Sequence, residues 1–308
     1  MIHAAEVDMV VDLPAPLDLH ASLMPFGRWG DDGIDRWDGT VLVRAVRLSE
    51  EIVPFAAQVD GDVARPMLRV TAAAPVRAST AAFIEAIKAT FVPVPVELTA
   101  LAAADDRIAK LVGAYSGIVP VLVPDPFSAL IRSISAQQVN LPWAATIRRR
   151  LAERYGTRHE IANRFVFTLH AEPLARATVA ELRALQLTTA KSRSVIAVAE
   201  AGVAGELDHA DLAALNEEEL INHLTRLRGI GRWSAEWFLA RTLGRPRVVA
   251  GDLGVRKAIG RLYEVASLPS EDEVRRLTAH WGASASVVQA LALHDLATAA
   301  EGPQRRPT

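Results

Sequence analysis

Two short stretches carry residue types that could do chemistry together. Leu227-Arg228-Gly229-Ile230-Gly231-Arg232-Trp233-Ser234-Ala235 reads as the end of one helix, a tight Gly-x-Gly turn and the start of a second helix. Glycine permits positive φ and close backbone approach. The helix that follows offers unpaired N–H groups and the positive end of its dipole. Gly229, Gly231, Arg232 and Ser234 are therefore candidate contacts to a phosphate. Asp252, in Gly251-Asp252-Leu253-Gly254, lies 21 residues past Gly231 at the predicted start of another helix. A fixed carboxylate there could stabilise positive charge developing on a sugar and orient or deprotonate a water. It could equally cap the helix predicted from Leu253 to Tyr263. Together the two features suggest an enzyme that grips a DNA backbone and cuts a glycosidic bond.

The elements that must position these residues are legible at coarse grain. Asn216 predicts a helix N-cap, with Glu217, Glu218 and Glu219 in the first turn and Leu220, Ile221, Leu224 and Leu227 as its apolar stripe. That helix leads into the Gly-x-Gly turn. Asp125-Pro126 predicts another start, an N-cap acid with proline at the first helical position. Phe127, Leu130, Ile131 and Ile134 then mark a buried face, and the helix runs into Ala136-Gln137-Gln138-Val139-Asn140. A further helix is predicted from near Pro142 to Gly156. Upstream, Val41–Val46 and Pro66–Val70 read as strands, Asp60-Gly61-Asp62 as a turn, and Ala81–Phe91 as a helix ended by Pro93 and Pro95. The organisation expected is an α+β domain over 1–92, a mostly α-helical domain over 93–300 and a disordered tail over 301–308.

Composition bounds the function. The chain has 308 residues, half of them apolar, and no cysteine. Disulfides, thiol catalysis and cysteine-held zinc or iron–sulfur clusters are excluded. The eight histidines form no metal-ligand spacing. No apolar run reaches the ~18 residues of a membrane span, and Glu6 and Asp8 replace the basic start of a signal peptide. A soluble intracellular protein is expected. The formal net charge of −2 argues against a polyanionic partner, but its distribution does not. Residues 141–195 hold ten Lys/Arg against four Glu, and residues 225–262 hold nine against two acids. Between them, residues 196–224 hold seven acids and no Lys/Arg. Two basic lobes facing one polyanion would explain this, and so would ordinary solvated helix faces. Arg148, Arg149, Arg150, Lys191 and Arg193 are the further candidate phosphate contacts.

Residues 220–241 resemble the helix-hairpin-helix of the DNA glycosylase superfamily. Val249-Ala250-Gly251-Asp252-Leu253-Gly254-Val255-Arg256-Lys257 is similar to that family's catalytic loop, and Asp125-Pro126-Phe127 with Gln137-Gln138-Val139 is similar to its Asp-Pro-Phe helix and Gln-Gln segment. Order and spacing match over about 120–295, and the α+β segment before it fits the alkylpurine branch, of the 3-methyladenine DNA glycosylase II type. The resemblance implies a two-lobed helical core and places catalysis on Asp252. It puts Gln138 in the gap left by a flipped base, with Gln137 more structural. Trp233 stands where bifunctional relatives carry a lysine nucleophile, so no Schiff base and no strand cleavage is expected. Trp233, Trp237, Trp281 and Phe26 are expected around the base, with Trp29 an alternative to Phe26. A Pro-Trp-Arg run common in relatives is absent near Trp281.

The implied function is monofunctional excision of alkylated purines (3-methyladenine, and 7-methylguanine with it) from double-stranded DNA, by a monomer in the cytoplasm at the nucleoid. No cofactor is required, although relatives can hold a monovalent cation under the hairpin carbonyls. Three alternatives remain open at this point: a glycosylase for deaminated or oxidised bases, a lesion-binding protein that does not cleave, and a generic helical DNA-binding protein.

Overall fold

The computed structural model describes residues 6–48, 51–73 and 79–301. The chain opens with β1 (Glu6–Asp12), α1 (Leu19–Gly27), β2 (Arg36–Trp37), β3 (Val41–Leu48), β4 (Glu51–Asp62), β5 (Arg65–Ala73) and α2 (Thr80–Lys88). The five strands form one antiparallel sheet in the order β1-β5-β4-β3-β2. Pro66, Leu68, Val70 and Ala72 of β5 are buried while Arg65 and Arg69 are exposed, the alternation of a half-buried strand. The predicted strands are there, longer than expected. The predicted turn at Asp60-Gly61-Asp62 falls slightly later: β4 runs through Asp62, whose carboxylate accepts from the N–H groups of Ala64 and Arg65. The helix predicted to reach Phe91 stops at Lys88, because Phe91 pairs in a short bridge with Val121.

Helices then dominate: α3 (Glu97–Ala104), α4 (Asp106–Ala114), α5 (Pro126–Ala136) and α6 (Leu141–Tyr155). A hairpin of β6 (Gly156–Ile161) and β7 (Arg164–Leu169) interrupts them. The sequence reading missed this hairpin. Its turn, Ala162-Asn163, has both residues at positive φ (48° and 57°), the geometry that Asn-Gly usually advertises. Ile161 and Val166 pack on Val43 and Ala56, covering the sheet's second face. Next come α7 (Ala171–Ala175), α8 (Val179–Ala184), α9 (Thr189–Val203), α10 (His209–Ala214), α11 (Glu217–Thr225), α12 (Arg232–Arg241), α13 (Leu253–Leu262), α14 (Glu271–Thr278), a 3-10 segment (Ala279–Ser284) and α15 (Ala285–Glu301). The tail expected over 301–308 lies, after Glu301, outside the described residues.

The buried side chains fall into two large groups. One joins the sheet (Leu42, Phe55, Leu68, Val70) to α5, α6, α9, α11 and α12 through Leu130, Ile131, Leu151, Val198, Leu220 and Phe238. The other joins Ile108 and Leu111 of α4 to Val255, Ile259, Val274, Val288 and Leu291 of α13, α14 and α15. The expected change at residue 92 is thus one of secondary structure and not of packing, since the first core crosses it. No helix among the described residues is long and apolar enough to cross a membrane.

Candidate active site

The predicted hairpin is present, and its two glycines do different work. α11 starts at the Asn216 cap, where Asn216 and Glu219 satisfy one another's backbone N–H groups. Gly229 has φ +79°, and a Cβ there would lie 2.0 Å from Ser194 Oγ and 2.7 Å from Ser194 Cβ on α9. It is glycine for backbone conformation and for close packing. Gly231 has extended backbone (φ −99°, ψ 179°), and a Cβ there would meet nothing within 4 Å. Of the two properties glycine permits, Gly231 thus uses no positive φ, while the space for close backbone approach is there. Gly231 is also the N-cap of α12 and has no side chain to cap it, whereas α5, α6, α9, α11 and α13 all have side-chain caps. The first N–H groups of α12 have no intrahelical acceptor, and Gly231 and Arg232 at that end are exposed.

A hub of small polar residues ties this hairpin to the Gln137-Gln138 loop. Gln137 Nε2 donates to Gly229 O (2.8 Å) and reaches Ser234 Oγ (3.4 Å). Ser133 Oγ donates to Ser234 Oγ at 2.7 Å, and Ser234 is buried. Lys191 Nζ donates to Ser135 O at 2.9 Å, holding the last turn of α5, and burial lowers its pKa. Gln137 is structural, as read from sequence. The Ser234 hydroxyl is taken up inside the protein, which leaves its backbone N–H as the group that could meet a phosphate, and half-buried Lys191 has given one of its three donors to Ser135 O. Gln138 sits at φ +55° and is exposed, presented between α5 and the Asn140 cap of α6. Asparagine and aspartate tolerate that region better than glutamine, so a specific turn holds Gln138 outward.

Asp252 is half-buried and caps α13, accepting from Val255 N–H at 3.0 Å. Its loop is held from three sides. Arg245 donates to Leu215 O (2.5 Å) and Ala213 O (3.0 Å). Val249 N–H donates to Gln289 Oε1 on α15 at 2.7 Å. Arg247 donates to Glu217 of α11 (2.5 Å) and to Glu236 of α12 (3.0 Å). Glu236 is only 1% exposed and also meets Arg232 (3.1 Å) and Arg275 of α14 (3.5 Å). Arg275 in turn pairs with Glu271, whose carboxylate lies against Gly251. One buried carboxylate thus joins the hairpin, the Asp252 loop and α14. The sequence reading missed Glu236. The signal was present: the basic segment 225–262 holds only two acids, Glu236 and Asp252.

The aromatic residues divide. Trp233 and Trp237 are half-buried, whereas Ser234, Ala235, Glu236, Phe238, Leu239 and Ala240 around them are buried. With Arg241, also half-buried, they form the accessible stripe of α12 at i, i+4, i+8. α5 shows the same pattern: Ser128, Arg132 and Ala136 are partly exposed on an otherwise buried helix. Trp281 does not join them. It is 1% exposed in the second core, and its Nε1–H donates to Tyr263 OH at 3.0 Å, so it is removed from the expected base pocket. Phe26 is also core, packed beneath the guanidinium groups of Arg44 (5.1 Å) and Arg132 (5.9 Å). Trp29 is exposed, under Arg28.

Those arginines belong to a buried ionic network. Arg44 donates to Asp35 (2.6 Å), Arg148 to Asp32 (2.8 Å), and Arg132 bridges Asp32 and Asp35. Burial pushes the Asp32 carboxyl up, but Arg132 and Arg148 outweigh it and hold its pKa at about 2. Arg148 is therefore a core residue and not a phosphate contact. Arg149 pairs with Glu153 and Asp31, and Arg150 with Gln186, while Arg193 is exposed. A separate depression lined by Arg47, Asp125, Phe127, His170 and Glu172 contains none of the predicted site residues. No group of three or more His, Asp or Glu suited to a metal occurs among the described residues. Of the hairpin carbonyls that a monovalent cation would use, Gly229 O already accepts from Gln137, and Leu227 O from Ile230 N–H (3.1 Å). Each keeps a second lone pair.

Fold and site define a helix-hairpin-helix protein with an anchored acidic loop behind the hairpin. Residues 131–283 match the HhH-GPD superfamily of base excision DNA repair proteins. The chain is 30% identical over 167 residues to DNA-3-methyladenine glycosylase 1 of Schizosaccharomyces pombe, covering 54% of this chain and 70% of that one. It is 29% identical over 184 residues to the DNA-3-methyladenine glycosylase of Bacillus subtilis, covering 59% and 60% of the two, so it spans about three fifths of that relative. A 3-methyladenine DNA glycosylase from Archaeoglobus fulgidus superposes with a TM-score of 0.79 over 94% of this chain and 98% of that one, at 24% identity. The chain belongs to the HhH-GPD superfamily. The curated relatives carry the names of its alkylpurine branch, the branch the sequence motifs pointed to.

Proposed function

We propose that this protein is a monofunctional DNA glycosylase that excises alkylated purines, 3-methyladenine and 7-methylguanine, in base excision repair. The observation that carries the reading is Asp252: a half-buried carboxylate, fixed by Val255 N–H and by a triply anchored loop, on the residue to which the motif resemblance assigns catalysis. Cleavage of an N-glycosidic bond leaves oxocarbenium-like charge on the sugar. A preorganised carboxylate stabilises that charge without reorganising, and can orient the attacking water. An alkylated purine is cationic and already a good leaving group, so a single acid at the site suffices.

The DNA is double-stranded and bent. The two packed cores act as two lobes, and the uncapped start of α12 takes a backbone phosphate at Gly231, where the open space at the absent Cβ admits close approach. Exposed Arg232 and Arg193 add charge. Gln138 enters the stack as the base flips out, and Trp233 and Trp237 wall the base. Trp233 has no amine, so the product is an intact abasic strand. The enzyme works as a monomer on DNA in the cytoplasm. Incubation with methylated duplex DNA followed by chromatography of released bases tests this: free 3-methyladenine supports it, and binding to lesions without base release refutes it. Release confined to deaminated or oxidised bases would transfer the same mechanism to a different lesion class.

A further inference from the structure

The buried ionic network at the end of the α5 and α12 stripes does not balance. Asp32 and Asp35 face four guanidinium groups, those of Arg44, Arg132, Arg148 and Arg241. Three of them are bonded to these carboxylates. Arg241 is not: among the described residues its guanidinium has no hydrogen bond or ion pair, and its Nε is buried without a partner, although its backbone carbonyl accepts from Val123 N–H. Arg44 Nη1 is also buried without a partner. Burial, then the charges of Arg132 and Arg44, lower the Arg241 pKa to about 10 against the pull of Asp35, so it stays charged at neutral pH. A half-buried cation left in this state lacks an acceptor that something else must supply.

The position of Arg241 says what that acceptor is. It is the third member of the Trp233-Trp237-Arg241 stripe, one turn beyond Trp237 on the accessible edge of an otherwise buried helix. Ser133 Oγ and Ser234 Oγ lock α5 to α12, and Arg132 of the α5 stripe lies within electrostatic reach of Arg241. The two stripes therefore open on one side, aromatic at the hairpin end and cationic at the other. A planar heterocycle held on the indoles would place one edge at the guanidinium. A guanidinium donates only, so that edge must accept.

We propose that Arg241 is the specificity-determining residue of this site, donating to an exocyclic carbonyl oxygen of the extruded base and so favouring 6-oxopurines, such as N7-alkylguanine, over adenine derivatives that lack a carbonyl. This deepens the reading given above and rests on it. It also qualifies simple cation recognition by tryptophan: a positive ring is welcome over the indoles, but the guanidinium end repels positive charge and needs an acceptor. At the exocyclic 6-position a 6-oxopurine presents an accepting oxygen and an adenine derivative a donating amino group, and a site built to donate a charged hydrogen bond there discriminates against the amino group.

Methylated duplex DNA tests this with both substrates in one tube, since chromatography reports 7-methylguanine and 3-methyladenine together. Arg241→Met removes the donor and breaks no protein hydrogen bond, so the thermal midpoint should hold or rise. The ratio of released 7-methylguanine to 3-methyladenine should fall by roughly ten- to a hundredfold, the worth of one charge-assisted hydrogen bond. Arg241→Lys, which keeps a charged donor, should recover part of the ratio. A fall in both products alike, with weaker binding of undamaged duplex, would assign Arg241 to a backbone phosphate and overturn the proposal. An unchanged ratio would overturn it too. Failure of the parent protein to release either base would instead sink the glycosylase reading itself.

Discussion

Two buried ionic assemblies among the described residues are built to opposite ends. Around Glu236, the three arginines Arg232, Arg247 and Arg275 are matched by further carboxylates at the rim, Glu217, Glu271 and Asp272. Charge is nearly balanced, and most of the donors end on the protein. Around Asp32 and Asp35, four arginines share two carboxylates and two guanidinium nitrogens are left over. The first assembly fixes distances between elements; it leaves one buried nitrogen, Arg247 Nε, without a partner, and only Arg232 at its rim is open to a ligand. The second also joins elements, but it leaves donors at an accessible stripe. The carboxylate-rich network anchors the Asp252 loop, and the arginine-rich one is the network that, on the proposal above, reads the base.

The sharpest way to break this contrast is to remove a carboxylate from the poorer network. Asp32→Asn leaves Arg132 and Arg148 buried against a weaker acceptor and should cost about 3–5 kcal/mol in denaturant unfolding. pH should show the same dependence. The folded-state pKa of Asp32, about 2, lies below its ordinary value of 3.8. Its contribution to stability is therefore full above pH 4 and is lost as pH falls through about 2. Unfolding midpoints measured from pH 5 to pH 2 should drop over that window, and the Asn variant should drop less. A variant as stable as the parent would show that the arginines are solvated and the network is not what holds the loop to α5 and α6.

Glu236→Gln tests the other assembly. Removing its charge loosens Arg247 and with it the Asp252 loop. Displacing a catalytic group by about 1 Å costs about a hundredfold in rate, so single-turnover excision should fall by roughly ten- to a hundredfold while affinity for an abasic-site duplex stays within about twofold. Weakened binding with an unchanged rate constant would mean that Glu236 serves the DNA surface through Arg232 and not the acidic loop.

Smaller effects separate the two hairpin glycines. Gly229→Ala puts a methyl into Ser194 at positive φ and should destabilise by about 1–3 kcal/mol. Gly231→Ala has room and ordinary backbone, so only the poorer N-cap costs stability, by about 1 kcal/mol or less. Its larger effect should appear in DNA affinity, equally for damaged and undamaged duplex. A Gly231→Ala protein that binds as the parent does would remove the phosphate from the account. The smallest signal is a null one: borohydride should trap no enzyme–DNA adduct, because position 233 is tryptophan, and a trapped adduct would mean that an amine elsewhere reaches the sugar.

How much of this was legible in sequence follows from how local each feature is. Caps at Asp125, Asn140, Asn216 and Asp252 are set by hydrogen bonds three residues away, and those helices start where the sequence placed them. The Gly-x-Gly turn was legible for the same reason. The roles of Arg148 and Lys191 were not, because their partners lie 116 and 56 residues away and a basic residue looks the same whether it faces a phosphate or a buried carboxylate. Trp281 was misread because a motif position does not report burial. The β6–β7 hairpin was hidden by a turn without glycine. Arg241 and Arg132 could have been noticed as the third and second members of stripes at helical spacing, but that Arg132 finds two carboxylates while Arg241 stays short of an acceptor is a property of the packed chain only.

The central claim is that Asp252 carries the bond cleavage, and one pair of assays on Asp252→Asn tests it. Asparagine keeps the shape and can still cap α13, so the fold should be retained, as near-identical unfolding midpoints would show. Release of methylated bases under single-turnover conditions should fall by at least about 10²–10³, while affinity for an abasic-site duplex is preserved. A folded Asp252→Asn protein that released base at close to the parent rate would contradict the account.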